Sequence, residues 1–328
     1  MWAHKPAIAA ISAALAVAGL AVGLFVILRP GPPARHAPTP AVRVRPRLMS
    51  PFTGEPVASL GPVIAVKVDN IRQARPQTGL AQADIVYVLP VEGGLSRFLA
   101  IFSSRFPPVI GPVRSAREDD LELLRQFGRP AFAYSGAQPH LLPVVERARI
   151  VDLYSGRVGG YFRGRARVAP YNLYAQAKRL RAEAKSASRA HDIGFGFGPP
   201  PAGGQATASR SVSYPAASFT FTWSAAAGRW LVGMDRSPAV TTDGGQLSAA
   251  TVVIQYTVVR KSRFIEWGAL PPYAESTGSG RAIVLRNGRA YQARWTRPSA
   301  DGGTTFTTTS GRPMTFARGP VWVVLTAG

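Results

Sequence analysis

The chain has 328 residues, of which 46% are hydrophobic, so it is long enough for two ordinary domains and apolar enough to give each a core. It contains no cysteine, which excludes disulfides, thiolate metal sites, cysteine nucleophiles and attachment of a lipid through a cysteine. The 39 Lys and Arg residues exceed the 17 Asp and Glu residues, and the formal net charge of +22 favours an anionic partner. The alternative explanation is a high use of arginine throughout the chain.

The N-terminal region predicts a membrane anchor. Residues 1–6 form a short flank, and residues 7–28 contain no charge and only Ser12 as a polar side chain. That run is long enough to span a bilayer as one helix, and it exceeds the apolar part of a usual signal peptide. An uncleaved transmembrane segment is therefore favoured over a cleaved signal peptide. The arginines that follow the run conflict with an outside location of the domains under the positive-inside rule.

Two shifts in composition divide the rest of the chain. Residues 29–47 are rich in proline and arginine, which favours an extended, semi-rigid linker. Residues 198–212 are rich in glycine and proline and are typical of a second linker. We therefore expect an N-terminal domain over residues 48–197 and a C-terminal domain over residues 213–328.

Short apolar or alternating segments predict strands in both domains. The predicted strands lie at residues 63–68, 85–89, 98–102, 219–223, 251–256 and 321–325. Asn287-Gly288, between two further segments of this kind, predicts a β-hairpin. The predicted class is α+β: a mixed α/β N-terminal domain followed by a mostly β C-terminal domain, behind one N-terminal transmembrane helix.

Two helices are predicted in the first domain. Ser115 and Glu118 have the spacing of a capping box, so a helix is expected to begin there and to end at Gly128. Asn172 is the expected cap of a second helix over residues 173–190, which carries many Lys and Arg side chains and few apolar ones. This composition favours a surface position.

Polar side chains are concentrated between Val66 and Arg117 beyond what a stable core requires. The residues that we expect to form a ligand-binding site are Asp69, Asn70, Arg75, Gln77, Asp84, Glu92, Arg97, Arg114, Ser115 and Arg117. Arginines at a helix start favour an anion, because free backbone N–H groups, the helix dipole and guanidinium groups all attract negative charge. The alternatives are that the arginines pair with acidic residues of the helix, and that Asp69 is a structural acceptor for Arg75 or Arg97.

The order and spacing of these segments resemble the DUF3048 family, whose function is unknown. The resemblance runs from about Pro51 to the end of the chain, is most specific between Asp69 and Arg117, and implies an exported protein. Two positions depart from the usual family pattern. Val88 stands where the family usually has a glutamate, and Tyr171 stands where it usually has a histidine. A mechanism that used those two groups as an acid–base pair would be lost, which favours binding over catalysis.

Familiar enzyme and metal patterns are weak in this chain. His140 and His191 are isolated, Ser135 lacks the surroundings of a hydrolase nucleophile, and no phosphate-binding loop is found. Asp69 with Glu92 or Asp84 could cleave a glycosidic bond only at a suitable separation. We therefore assign no catalytic residue, cofactor or metal, and the scattered positive charge gives no reason to expect a nucleic acid partner.

The sequence thus predicts a single-pass bacterial envelope protein whose domains are extracytoplasmic. Its expected partners are the membrane, through the N-terminal helix, and an anionic cell-wall polymer, a lipid-linked precursor or an envelope protein. The alternative is an envelope enzyme that acts on a glycan or a lipid-linked phosphate with a carboxylate acid or base. A third interpretation makes the polar motif an internal network and places partner binding on the C-terminal sheet.

Overall fold

The structure is a computed structural model that describes residues 47–265 and 268–328. The expected flank, the transmembrane anchor and all but the last residue of the first linker lie outside the described residues. Among the described residues, no helix combines the length and the apolar composition that a membrane crossing requires. The described residues form one compact unit.

The N-terminal half contains eight strands and three short α-helices. They are β1 (Ile64–Asp69), β2 (Ile85–Pro90), β3 (Ser96–Phe102), β4 (Val109–Ile110), α1 (Glu118–Leu124), β5 (Ala131–Tyr134), α2 (Leu142–Glu146), β6 (Val151–Tyr154), β7 (Tyr161–Arg163), β8 (Leu173–Gln176) and α3 (Ala177–Glu183). Single 3-10 turns occur at Arg72–Ala74, Leu80–Gln82, Glu92–Gly94 and Arg125–Phe127.

Strands make up the described regular structure of the C-terminal half. They are β9 (Gln205–Ala206), β10 (Ser209–Tyr214), β11 (Ala217–Ser224), β12 (Arg229–Met234), β13 (Ser237–Pro238), β14 (Ser248–Ala249), β15 (Thr251–Thr257), β16 (Val259–Lys261), β17 (Pro272–Ala274), β18 (Gly278–Arg286), β19 (Arg289–Arg297), β20 (Thr305–Thr308) and β21 (Val321–Ala327). The protein is mostly β with few helices, which agrees with the predicted α+β class at a coarse level.

One sheet joins the two halves. Its strand order is β20-β19-β18-β15-β21-β2-β3-β1-β5-β6, with β9 paired to β19. Strand β21 pairs in parallel with β15 on one side and with β2 on the other, so the end of the chain lies beside its N-terminal half. The boundary expected at residues 198–212 therefore separates the sequence into halves but does not separate the sheet.

Hydrophobic layers cover both faces of this sheet. All residues of β1, β2 and β3 are buried. On one face, Val66 packs in a cluster that includes Trp230 of a second, five-stranded sheet and Leu180 of α3. On the other face, Tyr87 packs in a cluster that includes Leu123 of α1. Because this unit contains its own core, we expect residues 46–328 to fold without the preceding segment.

Both predicted helix starts need correction. Helix α1 begins at Glu118, and its N-cap is Arg117, whose backbone N–H donates to Asp120 Oδ2 at 2.7 Å. The capping pair is thus not Ser115 and Glu118. Asn172 does not cap a helix either, because Leu173–Gln176 is strand β8, paired with β7, and α3 is only seven residues long. Cross-strand pairing outweighed the local capping preference there.

The hairpin prediction at Asn287-Gly288 is confirmed. Strands β18 and β19 pair from Gly278↔Arg297 to Arg286↔Arg289. Asn287 and Gly288 form the turn between the two strands. Asn287 has φ 49° and Gly288 has φ 70°, which are left-handed conformations that asparagine and glycine tolerate best.

Candidate functional site

The candidate site lies where several strands of the large sheet end. Strands β1 and β2 both pair antiparallel with β3, so their carboxyl ends reach the same edge. Asp69 is the last residue of β1, Glu92 follows β2, and Arg97 of β3 lies opposite both Asp69 and Leu89. The edge outside the carboxyl ends of strands is a frequent place for ligand sites in α/β proteins.

Asp69 and two arginines form the centre of the site. Asp69 Oδ2 lies 3.1 Å from Arg114 Nε, and Asp69 Oδ1 lies 3.9 Å from Arg97 Nε. Oδ1 also accepts the backbone N–H of Asn70 at 2.9 Å. The Arg97 side chain is 8% exposed, whereas the Arg114 side chain is 24% exposed. Arg114 is therefore the arginine at the centre that solvent can reach.

An amide network supports this centre from the segment after β1. Gln77 Nε2 donates to Asn70 Oδ1 at 3.0 Å and to the Asp69 carbonyl at 3.2 Å. Asn70 Nδ2 donates to Ser96 Oγ at 3.0 Å. Arg75 donates to the Asn70 carbonyl and pairs with Asp235 Oδ2 at 2.8 Å. Arg75 thus ties the loop to the second sheet and does not join the Arg97 and Arg114 pair.

Glu92 connects two arginines beside this centre. Its carboxylate accepts hydrogen bonds from Arg97 Nη2 at 3.0 Å, from Arg117 Nε at 2.9 Å and from Arg117 Nη2. Burial alone would raise the pKa of Glu92, but the Arg117 hydrogen bond and the two positive charges outweigh it and lower the pKa to about 2. Burial and the Arg117 charge lower the pKa of Arg97 to about 10. Glu92 therefore remains ionised at neutral pH.

A buried charge cluster beneath the site was not predicted. Lys67 Nζ pairs with Asp120 Oδ1 at 2.6 Å, and neither side chain is exposed. Asp119 is 1% exposed, and burial together with the charge of Asp120 raises its pKa to about 7. The signal was present in the sequence, because a lysine in the middle of an apolar strand is almost never buried without a partner.

A loop between β7 and β8 lies beside the site. The Arg114 guanidinium lies 5.8 Å from the centre of the Tyr171 ring, a cation–π contact. Arg167 donates to the Pro76 carbonyl at 2.8 Å and to the Tyr174 hydroxyl at 2.6 Å. Tyr171, at one of the two positions that depart from the family pattern, thus contacts a site arginine.

Two predicted site residues have other positions. Asp84 precedes β2, at the opposite end of that strand from Glu92. It accepts the backbone N–H groups of Ser103 at 2.6 Å and Ser104 at 2.9 Å, and burial raises its pKa. Ser115 is partly buried before α1 and is not its N-cap. Asp84 is therefore a structural acceptor for the turn after β3.

Unpartnered polar atoms are concentrated at the centre of the site. Eight buried side-chain nitrogen or oxygen atoms of the described residues have no hydrogen-bond partner, and five of them belong to four of the predicted site residues. These five are Asp69 Oδ2, Gln77 Oε1, Arg97 Nε, Arg97 Nη1 and Arg114 Nε. Three are guanidinium N–H donors. Arg114 Nε and Arg97 Nε lie within ion-pair distance of Asp69 without forming a hydrogen bond to it, and Arg97 Nη1 has no hydrogen-bond partner. Such donors favour an anionic acceptor.

An apolar cavity adjoins the site through Glu92. It has a volume of about 360 Å³, and Leu95, Tyr214, Pro215 and Leu270 are among its lining residues. Metal binding has no comparable support, since residues 47–265 and 268–328 contain no group of three or more His, Asp or Glu side chains placed to hold an ion.

Comparison with known proteins identifies the family. Residues 52–190 match the "Protein of unknown function (DUF3048) N-terminal domain", and residues 210–323 match the corresponding C-terminal domain. Together these matches cover most of the chain, and both domains occur in the expected order. The chain belongs to the DUF3048 family.

Two comparisons with YerB of Bacillus subtilis, one by sequence and one by structure, extend this result. The chain is 45% identical over 97 residues to "Putative lipoprotein YerB" of strain 168, a stretch that covers 28% of this chain and 29% of that protein. The crystal structure of YerB superposes with a TM-score of 0.74 at 21% identity, over 86% of this chain and 97% of that chain. At this identity the superposition shows a shared fold.

Proposed function

We propose that this protein is an extracytoplasmic, membrane-associated protein of the bacterial envelope that binds a phosphate-bearing ligand between Arg97 and Arg114. The observation that carries the proposal is that three guanidinium N–H groups of these two residues form no hydrogen bond, although Asp69 lies within ion-pair distance of both arginines. A buried charged donor that forms no hydrogen bond is costly, and a well-placed anionic oxygen would satisfy it with a charge-assisted bond. The location is supported by the word "lipoprotein" in the name of the YerB relative.

The means of membrane attachment is part of this proposal. The chain has no cysteine to carry a lipid, so we assign attachment to residues 7–28, on the basis of sequence alone. A single apolar helix there would tether the domains to the membrane, and the name of the YerB relative supports their location on its outer side.

The adjoining cavity favours a lipid-linked phosphate over a water-soluble wall polymer. Glu92 contacts Arg97 and also lines the apolar cavity. The apolar chain of a lipid whose phosphate is bound at Arg97 would therefore have this cavity to occupy. A polymer of sugars and phosphates has no apolar part to fill this space.

The alternative of a carboxylate acid–base enzyme has weaker support. Glu92 stays ionised because its pKa is about 2, so it is unsuited to donate a proton at neutral pH. Asp119 has a pKa near 7 but is almost fully buried. Asp84 and Glu92 lie at opposite ends of β2, so they are not placed to act together as an acid–base pair.

The test is calorimetric titration of residues 46–328 with inorganic pyrophosphate and with farnesyl diphosphate. We expect both to bind, and the farnesyl compound to bind more tightly. Arg114→Met should weaken both by about 10- to 100-fold, because it removes a charge-assisted bond. Arg210→Met, at an exposed position of β10, is the matched control and should bind as the parent does. Absence of binding by the parent, or equal binding by Arg114→Met, would contradict the proposal.

A further inference from the structure

A second cationic region lies outside the candidate site. Residues 160–190 contain eight Lys or Arg residues and one acidic residue, Glu183, a net charge of +7. The basic residues are Arg163, Arg165, Arg167, Lys178, Arg179, Arg181, Lys185 and Arg189. No carboxylate in the described part of the chain lies within ion-pair distance of any of these eight. We call this set, with the elements that carry it, the basic face.

The elements that carry the basic face adjoin one another. Strand β7 pairs with β8, and α3 follows β8 directly. The backbone of Gly160 approaches α3 so closely that a Cβ there would lie 2.4 Å from the Cβ of Arg179. Seven of the eight basic residues are exposed, and Arg167 is partly buried. Seven exposed positive charges are thus carried by elements that adjoin one another.

The contacts of these side chains leave their charge uncompensated. Arg163 donates to Asn172 Oδ1 at 2.9 Å, Arg189 donates to the Leu60 carbonyl at 2.9 Å, and Arg181 packs on the Phe106 ring at 4.6 Å. Neutral acceptors and an aromatic ring orient the side chains without cancelling their charge. Clustered like charges repel one another, which raises the electrostatic free energy of the protein. Contact with an anionic surface would replace this repulsion with attraction.

Exposed apolar side chains occur within the same face. Val168 is 74% exposed, in the loop between Arg167 and the start of β8, and Phe162 is 40% exposed beside Arg163. The Phe162 ring stacks on Tyr174 with the centroids 5.7 Å apart, which fixes its position at the surface. Basic residues mixed with exposed apolar ones are typical of surfaces that enter the interfacial layer of a bilayer. A water-soluble polyanion would leave Val168 in water.

We propose that the basic face docks on an anionic phospholipid bilayer, with Val168 and Phe162 entering the interface and the basic side chains contacting headgroup phosphates. This contact is made by the folded unit and does not depend on residues 7–28. It uses side chains other than Arg97 and Arg114, although the loop that carries Arg167 and Val168 lies beside their site. Charge complementarity and the two exposed apolar side chains carry the proposal.

The first experiment measures binding of residues 46–328 to phosphatidylcholine vesicles with and without 30% phosphatidylglycerol. Each basic residue near an anionic membrane contributes about fivefold in partitioning, so Arg165→Ala/Lys178→Ala/Lys185→Ala should weaken binding about a hundredfold. The control, Arg210→Ala/Arg294→Ala/Arg312→Ala, removes three exposed basic residues of the C-terminal half and should keep most of the binding. Equal losses of vesicle binding in the two triple variants would show that binding depends on net charge alone, and this would contradict the proposal.

The second experiment tests insertion of the apolar side chains. Tryptophan at position 168, in Val168→Trp, should be quenched by phospholipids that carry bromine on their acyl chains. Tryptophan at the exposed position 240, in Val240→Trp, should not be quenched. If the protein bound long-chain polyphosphate as tightly as vesicles and Val168→Trp stayed unquenched, the basic face would be a site for a polyanion, and the bilayer proposal would be wrong.

Discussion

Lys67 and Asp120 form an ion pair of 2.6 Å in which neither side chain is exposed. Lys67 lies within β1, two residues before Asp69, and Asp120 also accepts the backbone N–H of the α1 N-cap. The pair therefore fixes the start of α1 against the strand that ends in the candidate site.

Removal of one partner of this pair should destabilise the protein strongly. Lys67→Met leaves Asp120 buried and unpaired, and we expect the free energy of unfolding to fall by about 3 to 5 kcal/mol. Lys67→Met/Asp120→Asn should recover part of that loss, because asparagine removes the charge and keeps an acceptor for the Arg117 N–H. Urea unfolding of the parent, both single variants and the double variant measures the coupling. A loss below about 1 kcal/mol for Lys67→Met would show that the pair is not buried in solution.

Glu92 should contribute to the acid sensitivity of the protein. Its pKa is lowered to about 2 in the folded state, so its contribution to stability is present above its ordinary pKa of about 4.3. The contribution is lost as the pH falls from there towards 2. Glu92→Gln should therefore flatten the fall in unfolding free energy between pH 5 and pH 3. Glu183→Gln, which removes an exposed carboxyl of α3, is the control; an equal flattening in both variants would refute the assignment.

Asp119 should act in the opposite direction. Burial and Asp120 raise its folded pKa to about 7, so its protonated form is favoured in the folded state. Stability from this group is full below its ordinary pKa of about 3.9 and is lost as the pH rises through 7. Asp119→Asn, which mimics the neutral form, should be more stable than the parent at pH 8 and equal to it near pH 4. Thermal unfolding across this range would contradict the account if the difference between the two proteins did not change with pH.

Asp84 should matter for stability and not for ligand affinity. Asp84→Ala removes the acceptor of two backbone N–H groups and of the Ser104 hydroxyl, and we expect a loss of about 2 to 4 kcal/mol in unfolding free energy. Affinity for pyrophosphate, measured by calorimetry on the protein that remains folded, should stay within about twofold of the parent. A larger loss of affinity would indicate that Asp84 takes part in ligand binding and would contradict this prediction.

Local sequence patterns predicted the local elements well. The Asn287-Gly288 turn and the central strands depend on residues near one another in the chain, such as the apolar runs that became β1, β2 and β3. The helix predicted over residues 173–190 is present only at Ala177–Glu183, because Leu173–Gln176 pairs with β7, a contact that capping and composition do not encode. The sharing of one sheet by both halves was not predicted for the same reason, since β21 pairs with β2 across more than 200 residues.

The candidate site was predicted in part. Asp69, Asn70, Gln77, Arg97 and Arg114 are close in space, as expected from the density of polar residues after β1. The pairing of Glu92 with Arg97 and Arg117 also agrees with the alternative interpretation, in which the arginines form a structural network with acidic residues. Arg114 is partly exposed, whereas Arg117 is 5% exposed and bonded to Glu92. This difference depends on side-chain packing, which the spacing of residues in the sequence cannot show.

The central claim is that Arg97 and Arg114 hold a phosphate group. The most direct measurement is a crystal structure of residues 46–328 with arsenate, whose anomalous scattering locates the anion independently of water. The account predicts an anomalous peak within hydrogen-bond distance of Arg97 Nη1 and of the Arg114 guanidinium, and its absence in Arg114→Met crystals. Ordered waters at that position, with the arsenate peaks located elsewhere, would contradict the account and leave the arginines as a structural network.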